Sequence, residues 1–165
     1  MIEYIQRLID ALRLELQEYG EMLRLLDRQH HYIMGRNAEE VFQSIGPVQA
    51  QGCAIQNAFA RREDGRRGVA LAVEQPDNST FAALIPLLPP DYRPLIKALV
   101  DENNELLLRV RQRARQNHLL LSRSVELMQG LLDTLLPSRE TRVYTGHGTM
   151  HTHTIVTQSS YEAVG

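Results

Sequence analysis

The sequence has no tryptophan, three phenylalanines and six tyrosines, so aromatics are only 5 % of its 165 residues. Strands favour aromatic and β-branched side chains. A leucine-rich chain short of rings points instead to helix packed on helix. A single cysteine, Cys53, excludes an internal disulfide framework. Its place beside Gly52 on a helical seam suggests a small packed residue rather than a reactive thiol. No run approaches the roughly 18 apolar residues that cross a bilayer. The opening MIEYIQRLIDALRLEL sets acids among its apolar residues, unlike the unbroken core of a signal peptide. Charge of one sign is missing as well. The 18 basic and 20 acidic residues are mixed along the chain and leave a net charge of −2. Nothing there supplies the clustered positive field that nucleic acid or an anionic membrane requires. The expectation is a reduced, cytoplasmic, soluble protein about one domain long.

What is present is heptad spacing. Ile2, Ile5, Ile9, Leu12, Leu16, Tyr19, Leu23, Leu26, His30 and Ile33 recur at alternating steps of three and four. Such a seam keeps one stripe turned toward a partner helix. Leu8, Met22 and Leu25 widen it toward a second neighbour. Gly35 offers a stop, and Asn37 with Glu40 three residues on reads as a cap. A second helix follows through Val41, Ile45, Val48, Gly52, Ile55 and Phe59 to about Glu63, with a bend or break expected at Gly46-Pro47. From Asp64 to Ser79, Gly65, Gly68, Pro76 and Asp77-Asn78-Ser79 read as linker and cap. A short helix from Thr80 to about Leu88 is closed by Pro89-Pro90. The last helix starts near Asp91 and ends before Pro137. Its stripe runs through Tyr92, Ile96, Leu99, Leu106, Val110, Ala114, Leu121, Val125, Met128, Leu132 and Leu135. Asn103 and Asn117 interrupt that stripe, and polar residues at seam positions fix register at some cost in stability.

Beyond Pro137, Thr, Ser, His and Gly dominate, and apolar residues are too sparse to offset ordering entropy. The fold expected is all-α: an elongated antiparallel bundle of long coiled-coil-like helices with one short helix, residues 1–136, and a flexible C-terminal tail, residues 137–165. His147, His151 and His153 fall within seven residues and could hold zinc or nickel. A closed zinc site, however, wants four ligands and usually thiolate, so no metal site is assigned. His30-His31 suit a helix C-terminus, where the dipole favours positive charge. Glu39, Glu40, Asp101, Glu102 and Glu105 fall on polar helix faces, and no nucleophile sits with a base and an orienter. No enzyme and no cofactor are indicated. Apolar surface at the end of the last helix, beside a tail able to order on a partner, fits a protein interface as well as it fits residues that complete the bundle.

The succession of a heptad-rich first helix, a second helix, a short helix before a Pro-rich break and a long last helix resembles the FlgN-like flagellar export chaperones. The closest stretch is RQNHLLLSRSVELMQGLLDTL, followed by a polar link and TRVYTGHG. The resemblance implies a cytoplasmic chaperone of type III flagellar export. Such a protein binds hook-associated proteins, shields their amphipathic termini and presents them to an export-gate component. On this sequence Leu121, Val125, Met128, Leu132 and Leu135 would hold the cargo, with Val143 and Tyr144 as a tail anchor. Gly46-Pro47 and the His-rich extension after Gly148 depart from the family pattern. The alternative is a homodimeric coiled-coil adaptor, paired through its first helix, with no export role.

Overall fold

The computed structural model describes residues 1–135, and the tail expected from 137 onward lies outside them. Helix α1 spans Ile2–Met34, α2 Ala38–Ala72, α3 Phe81–Leu84 and α4 Arg93–Leu135, with a 3-10 turn at Ile85–Leu87 after α3. The chain divides into two units, Met1–Arg123 and Ser124–Gly165. In the first unit, helix packs on helix around α1.

The buried positions of α1 sharpen the seam read from the sequence. Ile5, Leu12, Tyr19 and Leu26 are buried, as the three/four spacing requires. The row that accompanies them is Leu8, Glu15, Met22 and Gln29, whereas Leu16 and Leu23 are only half-buried and Ile2 is exposed. Both rows repeat every seven residues, which is coiled-coil spacing. Leu8 and Met22 of the second row were visible in the sequence, and Glu15 and Gln29 were not because they are polar.

α2 runs antiparallel to α1. Gln29 Nε2 donates to Ser44 Oγ at 3.0 Å, Gln51 Nε2 to the Glu18 carbonyl at 3.0 Å, and Arg62 Nη1 to Glu15 Oε1 at 3.1 Å. Of the linker expected from Asp64 to Ser79, residues 73–79 make the connection, and the part up to Ala72 is instead the last turns of this helix. Gly65 and Gly68 are there for close approach, not for a turn. A Cβ on Gly65 would meet Leu8 Cα at 3.1 Å, and one on Gly68 would meet Tyr4 Cδ1 at 2.8 Å. The helix also continues unbroken through Pro47. Arg66 then holds the α2–α3 connection, donating through Nη1 to the Asp77 carbonyl at 2.7 Å and the Ser79 carbonyl at 2.6 Å. Thr80 rather than Ser79 caps α3, accepting from the Ala83 amide.

α4 runs parallel to α1. Asn103 Nδ2 donates to the Leu12 carbonyl at 3.0 Å and Asn117 Nδ2 to the Leu26 carbonyl at 2.9 Å, each across 91 residues of sequence. Ile96, Asn103, Val110 and Asn117 are the buried heptad row of α4. Adding the same 91 to Ile5, Leu12, Tyr19 and Leu26 gives that row, so the two helices lie heptad against heptad. The interior forms two clusters. One holds Ile5, Leu8, Ile9, Leu12, Val69, Leu88, Ile96 and Leu99, and the other Tyr19, Met22, Leu26 and Val110.

α1 and α2 end alike. The Asn37 amide reaches the Tyr32 carbonyl and the Arg36 amide the Ile33 carbonyl. Likewise Gln75 reaches Ala70 and Glu74 reaches Leu71. This six-to-one, five-to-two pattern needs a left-handed residue just past the helix. Here that residue is Arg36 (φ 54) or Glu74 (φ 55), and Gly35, expected as the stop, sits one position earlier in right-handed conformation. Left-handed backbone costs an L residue roughly 1 kcal/mol that glycine escapes. Arg36→Gly is therefore expected to raise unfolding free energy by up to about 1 kcal/mol, read from the urea midpoint at unchanged slope.

Glu15 is fully buried, and its carboxylate accepts from Tyr19 Oη at 3.0 Å as well as from Arg62. Arg62 Nη2 and Arg66 Nε also donate to Glu63, both at 3.0 Å. Burial acts to raise the Glu63 carboxyl, but those two guanidinium hydrogen bonds outweigh it and hold Glu63 below the usual carboxylate range. Removing one partner of a buried pair costs up to about 3–5 kcal/mol, although Arg62 keeps Glu63 as a second partner. Glu15→Ala is expected to lose up to that much, and Glu15→Gln clearly less because its amide oxygen still accepts. Thermal and urea unfolding of both variants check it.

Burial, and then the neighbouring Glu15 charge, push the Tyr19 phenol up to about 12 from an ordinary 10.0. A raised folded value means that the stabilisation is complete below pH 10. It fades as the pH climbs toward 12, because the unfolded chain ionises first. Tyr19→Phe is expected to flatten that alkaline loss, measured as unfolding free energy across the interval.

Candidate partner-binding surface

A polar layer crosses the first unit near the end of α1. The Asn117 amide donates to the Leu26 carbonyl and to Gln29 Oε1 at 3.1 Å, and its Oδ1 lies 2.9 Å from His30 Nδ1. An amide oxygen only accepts, so His30 Nδ1 carries the proton. Gln29 passes the chain of bonds on to Ser44 of α2. His30 is thus an interior linker, not simply a helix-end charge. A cleft of about 450 Å3 lies among α2, α3 and α4, lined by Arg62, Glu63, Arg66, Phe81, Val100 and Asn103 among others. Its two guanidiniums face two carboxylates, Glu15 and Glu63, so its charge is already balanced from within.

The remaining carboxylates singled out in the sequence lie as expected on helix surfaces. Glu39, Asp101, Glu102 and Glu105 are exposed and Glu40 is half-buried. Asn37 caps α2 by accepting from the Glu40 amide at 3.3 Å. Cys53, expected to be packed, is exposed, because the first half of α2 buries no residue fully. Among the described residues no three of His, Cys, Asp and Glu gather as metal ligands, and His147, His151 and His153 lie outside them. No helix among the described residues is long and apolar enough to cross a membrane.

Apolar surface is concentrated in the helical part of the second unit. Val125 is 54 % exposed, Leu127 71 %, Met128 66 %, Leu131 61 % and Leu132 56 %. At about 100° per residue these side chains sweep roughly 160° of the helix. Glu126, Gln129 and Gly130 occupy the opposite side. Val125, Met128 and Leu132 are the positions expected from the sequence. Leu127 and Leu131 were missed, although their four-residue spacing beside that stripe was visible in the letters. Leu121 belongs to the first unit and is half-buried. Leu135 is the last helical residue, its side chain outside the description, and Val143 and Tyr144 lie wholly outside it.

Large apolar side chains open to water along one helix need a cover, and the usual cover is another protein. Comparison with known proteins bears on which. No curated protein matches the chain, and no solved structure matches it. A family model does: that of the FlgN protein family, which covers residues 1–152. That family is one of flagellar export chaperones. With nearly the whole length matched and an all-helical architecture beneath it, the chain belongs to the FlgN family.

Proposed function

We propose that this chain binds hook-associated flagellar proteins in the cytoplasm, masks their amphipathic termini and delivers them to the type III export apparatus. The observation that carries the reading is the exposed stripe of Val125, Leu127, Met128, Leu131 and Leu132. A free amphipathic terminus polymerises or is proteolysed unless its own apolar stripe is covered. A helix offering a matching stripe covers it by helix-on-helix packing. Removing roughly 800 Å2 of mostly apolar surface from water at about 25 cal/mol per Å2 gives ample gross energy for submicromolar binding after ordering costs. Leu121 and Leu135, and the tail pair Val143 and Tyr144, are further contact residues in this reading. It involves no catalysis and no cofactor.

A homodimer paired through the first helix has less to recommend it. The seam it would use, Ile5, Leu12, Tyr19 and Leu26, is already buried inside one chain.

Met128→Ser with Leu132→Ser is the direct test. Both positions are more than half exposed, so unfolding free energy is expected to move by no more than about 0.5 kcal/mol per site. Calorimetric affinity for purified hook-associated proteins is expected to fall at least tenfold. A folded wild-type chain that binds none of them would sink the proposal.

A further inference from the structure

We infer that the first half of α2, residues 38–57, is a strap that opens as a unit while Ala58–Ala72 stays docked. Four observations converge on that segment. Every fully buried residue of α2 lies beyond it: Ala58, Arg66, Val69 and Ala70. The ion pair that ties α2 to α1, Arg62–Glu15, also lies beyond it, and no charged residue occurs from Val41 to Ala60. The segment holds to α1 by Ser44 on Gln29, by Gln51 on Glu18, and by half-buried Val48 and Ile55 against the Tyr19, Met22, Leu26 and Val110 cluster. Its own helix is weakened from within. Pro47 offers no N–H to the turn before it and crowds that turn, and Gly46 and Gly52 are poor helix formers.

The glycines separate the two halves of α2 most clearly. A Cβ on Gly65 or Gly68 would run into α1, so those glycines serve packing. A Cβ on Gly46 or Gly52 would meet nothing within 4 Å. Packing therefore does not require them, and what they do supply is low helix stability in a segment that little else holds down. Phe42, 77 % exposed, adds nothing to its anchoring. Opening bares Met22, the apolar member of the α1 row that faces α2, and releases Gln29 and Glu18 from their partners on this segment. The inference concerns α2 alone and does not depend on which partner the protein serves.

Hydrogen exchange of the full chain, followed by mass spectrometry, tests it. Peptides within 41–57 are expected to exchange at least 100-fold faster than those within 61–72, since local opening free energies span the range from near zero to global stability. Gly46→Ala with Gly52→Ala should slow exchange in 41–57 by roughly 25-fold, about fivefold per site, and leave 61–72 unchanged. Equal protection of the two halves would overturn the strap. So would an alanine variant that slows both halves alike, because α2 would then open as a whole.

Discussion

Two side-chain amides set the register of this protein. Asn103 and Asn117 each give an N–H to a backbone carbonyl of α1, and those carbonyls, Leu12 and Leu26, are as far apart along α1 as the asparagines are along α4. Apolar heptads alone tolerate sliding by a turn, because one leucine packs much like the next. A buried amide does not, since a shifted register leaves it unpaired in a low-dielectric interior. Once α1 and α4 are matched in this way, each apolar layer falls opposite its counterpart, Ile5 with Ile96 in one cluster and Tyr19 with Val110 in the other.

The same tolerance of buried polarity shapes the face of α1 that meets α2. Glu15 with Arg62 and Gln29 with Ser44 put charge and amide where leucine would ordinarily pack. Such pairs are seldom a source of net stability, because desolvation consumes most of the attraction. Their effect is to make one pairing of helices much better than its alternatives. The first cluster is closed by Phe81, Ile85 and Tyr92 packed against it from the short helix and its surroundings. The second has only four buried members and half-buried neighbours from α2 and α4. Stability is thus concentrated where α3 adds its cover.

The helices and their order were legible because periodicity, caps and proline breaks are local signals. Asn37, Asn103 and Asn117 all announced their roles. What stayed hidden depended on partners distant in sequence. Glu15 and Gln29 look like surface residues until Arg62 and Ser44 are brought to them. Gly65 and Gly68 read as a linker because a glycine needed for close approach is written with the same letter as one needed for a turn. Pro47 and Gly46 suggested a break that flanking helical residues were able to bridge. At the end of α4 the stripe was visible but its width was not. Leu127 and Leu131 became part of it only once their exposure was known, since a leucine beside a stripe serves equally well as core.

The matched spacing of the two asparagines has a consequence for how this protein can change in length. Residues added or lost between Val73 and Ser79 alter the numerical offset between α1 and α4 but leave both amides opposite their carbonyls, whereas Leu84 and Leu88 anchor the rest of the connection in the core. One residue deleted from α1 between Leu12 and Leu26 turns everything beyond it by about 100°. One amide then fits only if the other does not. Within that stretch α1 can change only by whole heptads, and only if α4 changes by the same number between Asn103 and Asn117, because each heptad moves a carbonyl by about 10 Å along the axis.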